Sequence, residues 1–433
     1  MRWTMRAETA SDAASGASAR AAGCADAPGA LYLHIPFCRA KCAYCDFASW
    51  ACADTAGLLA SYRRALEAQL AELADAGLLD ACATAYLGGG TPTLLGAGAA
   101  ELAGRVTSLA TPAEFTCEAN PESLTPALAA QLAAAGVTRL SIGVQSLDDS
   151  ELVELGRLHD AAGARRAVAC AHDAGLATSI DLMCALPHQR EVSWQRTLEA
   201  ALALPCDHIS VYPLQIEEGT PLARRFASDD RPWNDPDVQA ARMEQAAAVL
   251  GAAGFARYEV ASYAHPNMSC RHNIAYWTGI TYLGLGTSAA SMLDHSCYMR
   301  LSALCPQLPA APPGTARARL RITSSPRAIA ARPTLADLAF EVEFLTTSQA
   351  CAEDLMLAAR LVTGLDGALI ERARRTIGAA PIQSCLDRLV ALGLLAPRGD
   401  RLVPTERGWL MGNELYGALW GLADGETTFA TSA

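Results

Sequence analysis

Six short β-rich runs alternate with helical stretches through the first half of the chain. The runs lie at 31–35, 83–87, 114–118, 139–144, 177–183 and 208–214. Between them, at 58–76, 99–109, 126–135, 161–174 and 192–204, Ala and Leu recur at the spacing of a helix with one apolar face. Gly77, Gly136 and Gly175 stand where those helices should end, because glycine readily takes the left-handed conformation that closes a helix. Two strands joined by a crossover helix run parallel. The pattern therefore predicts an α/β fold, and six units favour an open or partial barrel over a flat sheet.

Past residue 302 the pattern changes. Residues 303–335 are rich in Pro, Ala and Arg and read as a linker or long loop. In 336–433, helical patterns at 352–363, 369–377 and 382–392 precede a short extended run at 401–403 and a last helix at 407–422. Helices followed by a strand pair predict a winged-helix-like domain, read here as an interaction or lid domain. Residues 1–29, rich in Ala, Ser and Arg, lack the apolar centre of a secretory signal and read as a disordered leader. That leaves 30–302 as the core. A 51% hydrophobic, 18% charged composition is globular, and a net charge of -11 argues against a nucleic-acid partner. No apolar run approaches the ~20 residues of a membrane span, so the expected location is the cytoplasm.

Most of the 15 cysteines that can be singled out, such as Cys82, Cys117, Cys170 and Cys184, sit alone in apolar stretches. They read as small buried hydrophobes in a reducing compartment. One group differs. Cys38, Cys42 and Cys45 follow the first strand at CxxxCxxC spacing. Three thiolates so spaced can wrap one [4Fe–4S] cubane, ligating three irons and leaving the fourth open as a Lewis acid. The next cysteine, Cys52, is seven residues on. A zinc ion would need a fourth ligand, for which His34 is the candidate. Burial of all three as structural thiols fits poorly with Arg39, Lys41 and Asp46 in the same loop.

With Tyr44 before the last cysteine, this motif resembles that of the radical S-adenosylmethionine superfamily. More narrowly, the chain resembles the oxygen-independent coproporphyrinogen III oxidase family and its HemW-type haem-chaperone relatives, over nearly all of its length after the leader. The resemblance implies a partial (β/α)6 barrel with the cluster loop after the first strand, and S-adenosylmethionine on the open iron. It also implies reductive cleavage of the sulfonium where chemistry occurs, fed by an electron donor such as flavodoxin or ferredoxin. Four further motifs fall at predicted strand ends, where parallel α/β folds bind ligands. Gly88, Gly89, Gly90, Thr91 and Pro92 let backbone approach a ligand, or simply form a turn. The resemblance gives this segment, with Gly89, Gly90 and Thr91, to the cofactor's amino group. Glu118, before Asn120 and Pro121, is implied as a cofactor contact. Gln145 offers both donor and acceptor, and Arg157 suits the cofactor's carboxylate, although Arg157 and His159 could equally sit on a solvated face. Asp181, alone in an apolar strand, needs a partner, which ribose hydroxyls would supply. Tyr32 and Tyr44 flank the cluster ligands and are expected to touch the cofactor.

Two features separate the branches. The oxidases carry a further cysteine two residues after the third ligand, where this chain has Phe47. Residues 272–277 read HNxxYW, which resembles the haem-binding signature of the chaperone branch. His272 could offer an imidazole to haem iron, with Tyr276 and Trp277 as flat apolar surface and Cys270 as an alternative ligand. The plain alternative is a structured loop whose His272 is satisfied by hydrogen bonds. Many chaperone-type members have a histidine where this chain has Ala290, and the run 288–292 is more oxidase-like. The resemblance therefore implies haem binding and delivery to an acceptor protein, with membrane contact only through that acceptor. Decarboxylation of coproporphyrinogen III and radical chemistry on another substrate remain the alternatives.

Overall fold

The structure, a computed structural model, describes residues 27–52, 57–227, 234–423 and 428–431. The leader expected at 1–29 lies outside the described residues except for its last three. Six parallel strands form the barrel wall: β1 (Ala30–Ile35), β4 (Thr84–Gly89), β5 (Glu114–Ala119), β6 (Arg139–Gln145), β7 (Ala177–Cys184) and β8 (His208–Pro213). A small parallel pair, β2 (Phe37–Cys38) and β3 (Trp50–Ala51), ties the two ends of the cysteine loop. The crossovers are α1 (Leu58–Asp75), α2 (Ala97–Ala110), α3 (Pro126–Ala134), α4 (Asp149–Glu154), α5 (Ala161–Asp173) and α6 (Glu191–Leu202). Their starts are written locally. Thr125 and Asp160 each accept a backbone N–H as N-caps, and Pro126 occupies the first turn, where no N–H is needed.

Each wall strand has two chemical faces. Leu31, Leu33, Ile35, Phe115, Leu140, Ile142, Ile180, Leu182, Ile209 and Val211 are fully buried in one core with the helices. At roughly 25 cal/mol per Å² removed from water, this layer is the main stabilising term. The alternate positions, including Tyr32, His34, Tyr86, Glu118, Ser141, Asp181 and Ser210, share the opposite face and interact across strands.

After β8 come α7 (Pro221–Phe226), α8 (Pro236–Ala252), β9 (Ala256–Arg257), β10 (Ser262–Ala264) and α9 (Arg271–Trp277). The sheet then extends from β1 through β11 (Tyr282–Leu285), β12 (Ala290–Asp294), β13 (Thr315–Ile322) and β14 (Phe340–Thr346) to β17 (Thr428–Thr431), with α10 (His295–Leu304) and α11 (Pro326–Ala331) between. The linker expected at 303–335 is therefore corrected, because β13 pairs along its length with β12 and β14. Three arginines hid the strand. Ala318, Leu320 and Ile322 are buried, while Arg319 and Arg321 pair with Glu343 and Glu341 directly across on β14. A separate apolar core holds α12 (Thr347–Ala358), α13 (Gly367–Thr376), α14 (Ala379–Ala391) and α16 (Gly412–Trp420) around the hairpin β15 (Leu395–Arg398) and β16 (Arg401–Pro404), with α15 (Glu406–Leu410) alongside. Four helices and a hairpin form the expected helical C-terminal domain, although the expected last helix breaks at Met411.

Candidate functional site

The cysteine loop is held by backbone at both ends and from below. Trp50 and Cys52 donate to the carbonyls of Pro36 and Cys38, at 2.8 and 2.9 Å. Ala43 donates to Leu155 O at 2.9 Å and accepts from Leu222 N at 2.8 Å, over a small apolar cluster that includes Tyr44. The three thiols receive polar neighbours from different elements. Thr91 Oγ1 lies 3.5 Å from Cys38 Sγ, Arg157 Nη1 3.2 Å from Cys42 Sγ, and Ser49 Oγ 3.8 Å from Cys45 Sγ. Burial pushes the Cys38 thiol up, and Thr91 and Ser49 work against that shift. A resident charge or metal is needed to keep such a buried sulfur as thiolate.

Donor chemistry distinguishes a cluster from a single ion. His34, the candidate fourth zinc ligand, already uses both ring nitrogens, with Tyr32 OH at 3.1 Å and Ala48 O at 3.0 Å. Among the described residues no three His, Cys, Asp or Glu side chains gather around one ion position. A cubane makes no such demand, because each thiolate takes its own iron. Cys52 packs against the main core. The residues present thus fit a three-thiolate cluster.

One network joins two of the sulfurs. Arg157 Nη2 donates to Asn120 Oδ1 and to Gly143 O, both at 2.7 Å, while Asn120 Nδ2 donates to Thr91 Oγ1 at 2.9 Å. Thr91 in turn points at Cys38. Burial opposes the charge of Arg157, but Tyr44, the Cys42 sulfur and Glu122 together raise its pKa. Gln145, at a positive φ of 66°, reaches the same spot. A Cβ built on Gly143 would lie 2.9 Å from Gln145 Nε2, 3.1 Å from Asn120 Oδ1 and 3.3 Å from Arg157 Nη2. Arg157 is therefore not on a solvated face. Its Nη atoms are already engaged, and Nε is buried without a partner.

The glycine segment lies against the cysteine loop. Gly90 and Thr91 donate to Ile35 O and Phe37 O, both at 2.8 Å. A Cβ on Gly90 would lie 2.7 Å from Phe37 O, so glycine is required for this approach. Gly89 N donates to Glu118 Oε2 at 2.8 Å, and Tyr86 OH to Glu118 Oε1 at 2.9 Å. An ammonium is itself a donor, so a cofactor amino group would be met here by acceptors, not by these N–H groups. Burial pushes Glu118 up to about 7 and Asp181 up to about 6. Asp181 Oδ2 accepts from Ser141 Oγ at 3.4 Å. Two half-buried carboxylates without an ion-pair partner among the described residues mark a place prepared for a cation. The sequence pattern marks Asn120 only as a neighbour of Glu118 and gives no sign of Tyr86, because their partners are distant in the chain.

The surroundings of His272 favour the plain alternative, a histidine satisfied by hydrogen bonds. Residues 271–277 form α9, and His272 is fully buried within the strand N-termini, opposite the cysteine loop. Its Nδ1 meets Thr84 Oγ1 at 2.9 Å, its Nε2 meets Tyr276 OH at 3.1 Å, and its backbone N donates to Glu114 Oε1 at 3.0 Å. Burial lowers its pKa to about 4. Cys270 is also buried, with Sγ 3.5 Å from Glu114 Oε1. Tyr276 stacks edge-on with Tyr282, and Trp277 Nε1 donates to Glu259 at 3.2 Å. The motif thus builds the barrel floor. Ala290 is exposed at the start of β12, paired with Arg321. We expect His272→Ala to destabilise the fold by about 2–4 kcal/mol, through two lost hydrogen bonds and a cavity. The Soret maximum of added haem should stay where it is in the wild type. A shifted maximum in folded His272→Ala would restore the ligand assignment.

Comparison with known proteins gives the family and the fold. Residues 32–201 match the Radical SAM superfamily. The chain is 36% identical to heme chaperone HemW of Mycobacterium tuberculosis, over 91% of this chain and 95% of that one. It is 37% identical to heme chaperone HemW of Escherichia coli, over 60% of this chain and 69% of that one. Among solved structures, coproporphyrinogen III oxidase (HemN) from Escherichia coli superposes with a TM-score of 0.72, covering 91% of this chain and 90% of that one at 21% identity. That last likeness concerns the fold.

Proposed function

The chain belongs to the HemW family of radical S-adenosylmethionine proteins, and from that membership we propose that it is a haem chaperone. On this reading it binds haem and passes it to an acceptor protein, with a [4Fe–4S] cluster and S-adenosylmethionine as resident groups. The observation that carries the reading is an end-to-end match to a named haem chaperone, in a chain that keeps three loop thiols and has the exposed Phe47 two residues past the third. Cys38, Cys42 and Cys45 would hold the cluster, and Arg157, Thr91 and Ser49 would support its sulfurs.

The cluster, when bound, supplies one electron and an open iron for the amino and carboxylate groups of the cofactor. The chain's own residues do the rest. Glu118 and Asp181 offer negative charge to a cationic, hydroxyl-bearing ligand. Gln145 and Arg157 Nε offer the donors. Tyr32, Tyr44 and Tyr86 wall the site with rings and keep water out. No nucleic-acid or membrane contact is assigned to this chain, and no helix among the described residues is long and apolar enough to cross a membrane. An electron donor such as flavodoxin or ferredoxin and a cytoplasmic location complete the proposal.

Glu118 gives this site a pH signature. Its folded pKa, near 7, lies above its unfolded value. The folded state therefore holds the proton more tightly, and stability falls as pH rises from about 4.5 to about 7. In the cofactor-free protein, Glu118→Gln should raise stability at pH 8 by on the order of 2–3 kcal/mol. The same change should weaken S-adenosylmethionine binding by about tenfold or more. Denaturant titrations at pH 5 and 8 and calorimetric binding check both halves. Equal stability of the two proteins at pH 8 would contradict the first.

The function itself is tested anaerobically on reconstituted protein. Haem should give a stoichiometric Soret band. Coproporphyrinogen III with S-adenosylmethionine and a reductant should give no protoporphyrinogen. Turnover to that product would reject the chaperone reading in favour of the oxidase.

A further inference from the structure

If His272 is part of the barrel floor, a haem-binding chain must hold its ligand elsewhere. A cleft of about 320 Å³ opens between β13, α12 and α16, lined by Arg319, Met356, Arg360, Asn413, Tyr416 and Trp420. Its chemistry is unbalanced. Four other arginines nearby all have carboxylate partners: Arg317 with Glu353 and Asp354, Arg319 with Glu343 and Glu353, Arg321 with Glu341, and Arg372 with Asp354. Arg360 has none. Its guanidinium is held by two rings, 5.0 Å from the centre of Trp277 and 4.2 Å from that of Tyr416, and its Nε is buried without a partner. The hydroxyl of Tyr416, a residue only 8% exposed, is likewise buried and unpartnered. Stacking between rings fixes a guanidinium in position without neutralising it. A cation and a phenol left unpaired beside a cleft, in a chain of net charge -11, are matched by an anionic group that arrives from outside.

We propose that this cleft receives a propionate edge of the porphyrin, with Arg360 as the charge partner of the carboxylate, Tyr416 as a hydrogen-bond donor, and Met356 and Trp420 as apolar walls. The inference rests on the haem-binding reading above. It also gives the HNxxYW segment a different part to play: Trp277 is the platform that positions Arg360, so the motif acts on haem through the arginine.

The test uses the full-length reconstituted protein, after melting temperature and iron content have been matched for each variant. Haem and its dimethyl ester, which lacks both carboxylates, are titrated against wild type, Arg360→Gln, Arg360→Lys and Tyr416→Phe, with Soret absorbance as readout. Arg360→Gln should weaken haem by about tenfold or more and leave the ester unaffected, as expected for loss of a charge-assisted pair. Arg360→Lys should fall between, and Tyr416→Phe should lose a few-fold, as for one hydrogen bond. Unchanged haem affinity in Arg360→Gln would overturn the cleft while leaving the chaperone reading in place. So would an equal loss for haem and ester, which would make Arg360 only a clamp between the two cores. If wild type binds no haem yet metal-free protoporphyrin IX still quenches its tryptophan fluorescence in an Arg360-dependent way, the chaperone reading fails and the cleft stands. If wild type binds neither, both fail.

Discussion

Gly89→Ala should yield protein that carries less than about a tenth of the wild-type iron after reconstitution, with a stability loss of about 3–5 kcal/mol. The reason is a chain of fixed contacts. Gly89 has a φ of 113°, a region L-residues rarely occupy, and an added Cβ would fall 2.6 Å from His34 Cε1. His34 cannot swing away freely, because Tyr32 OH and Ala48 O hold its two nitrogens. Ala48 lies three residues past Cys45, so a displaced imidazole pushes directly on the cysteine loop. The same change disturbs the Gly89 N–H that Glu118 accepts. Gly96 is the matched control. It too has a positive φ, of 56°, yet nothing lies within 4 Å of its added Cβ. Gly96→Ala should cost about 1–3 kcal/mol, the strain of an L-residue at φ 56°, ψ -131°, and retain its iron. Iron analysis and denaturant melts read both variants. Equal iron in Gly89→Ala and wild type would contradict the packing described here.

Arg157→Gln should shift the cluster's reduction potential negative by up to about 100 mV, since a charge-assisted hydrogen bond of about 1.5–3 kcal/mol is lost from one sulfur and 59 mV corresponds to a factor of ten for one electron. Arg157 Nη1 sits 3.2 Å from Cys42 Sγ, and its other contacts, to Asn120 and Gly143, hold it there. Removing it also frees Asn120, and through Thr91 loosens the neighbour of Cys38. Lysine keeps the charge but lacks the planar fork that reaches three acceptors at once, so Arg157→Lys should recover only part of the shift. Anaerobic redox titration followed by EPR measures this. An unchanged potential in Arg157→Gln would remove Arg157 from the cluster's surroundings.

The six wall strands were legible because each alternates an apolar residue for the helices with a polar or small one for the barrel. Cys38, Cys42 and Cys45 were legible because their spacing admits few other chemistries. The strand at 315–322 was hidden because its outward positions are arginines, and the β14 glutamates that Arg319 and Arg321 pair with lie 20 or more residues on. The packing of His272 was hidden for a related reason. Its contacts with Thr84 and Glu114 bridge 188 and 158 residues, and no local pattern announces that a histidine will fold into a barrel floor. Arg360 gave no signal at all, since what sets it apart is the absence of a carboxylate partner among described residues drawn from three separate segments.

Everything assigned to the cysteine loop depends on one metal corner being free of protein sulfur. Mössbauer spectroscopy of iron-57-reconstituted protein, with and without S-adenosylmethionine, addresses this directly. One iron in four should change its isomer shift when the cofactor is added, in wild type and in Cys52→Ser alike. Four equivalent irons that ignore the cofactor, or a spectrum altered by Cys52→Ser before any cofactor is added, would contradict it.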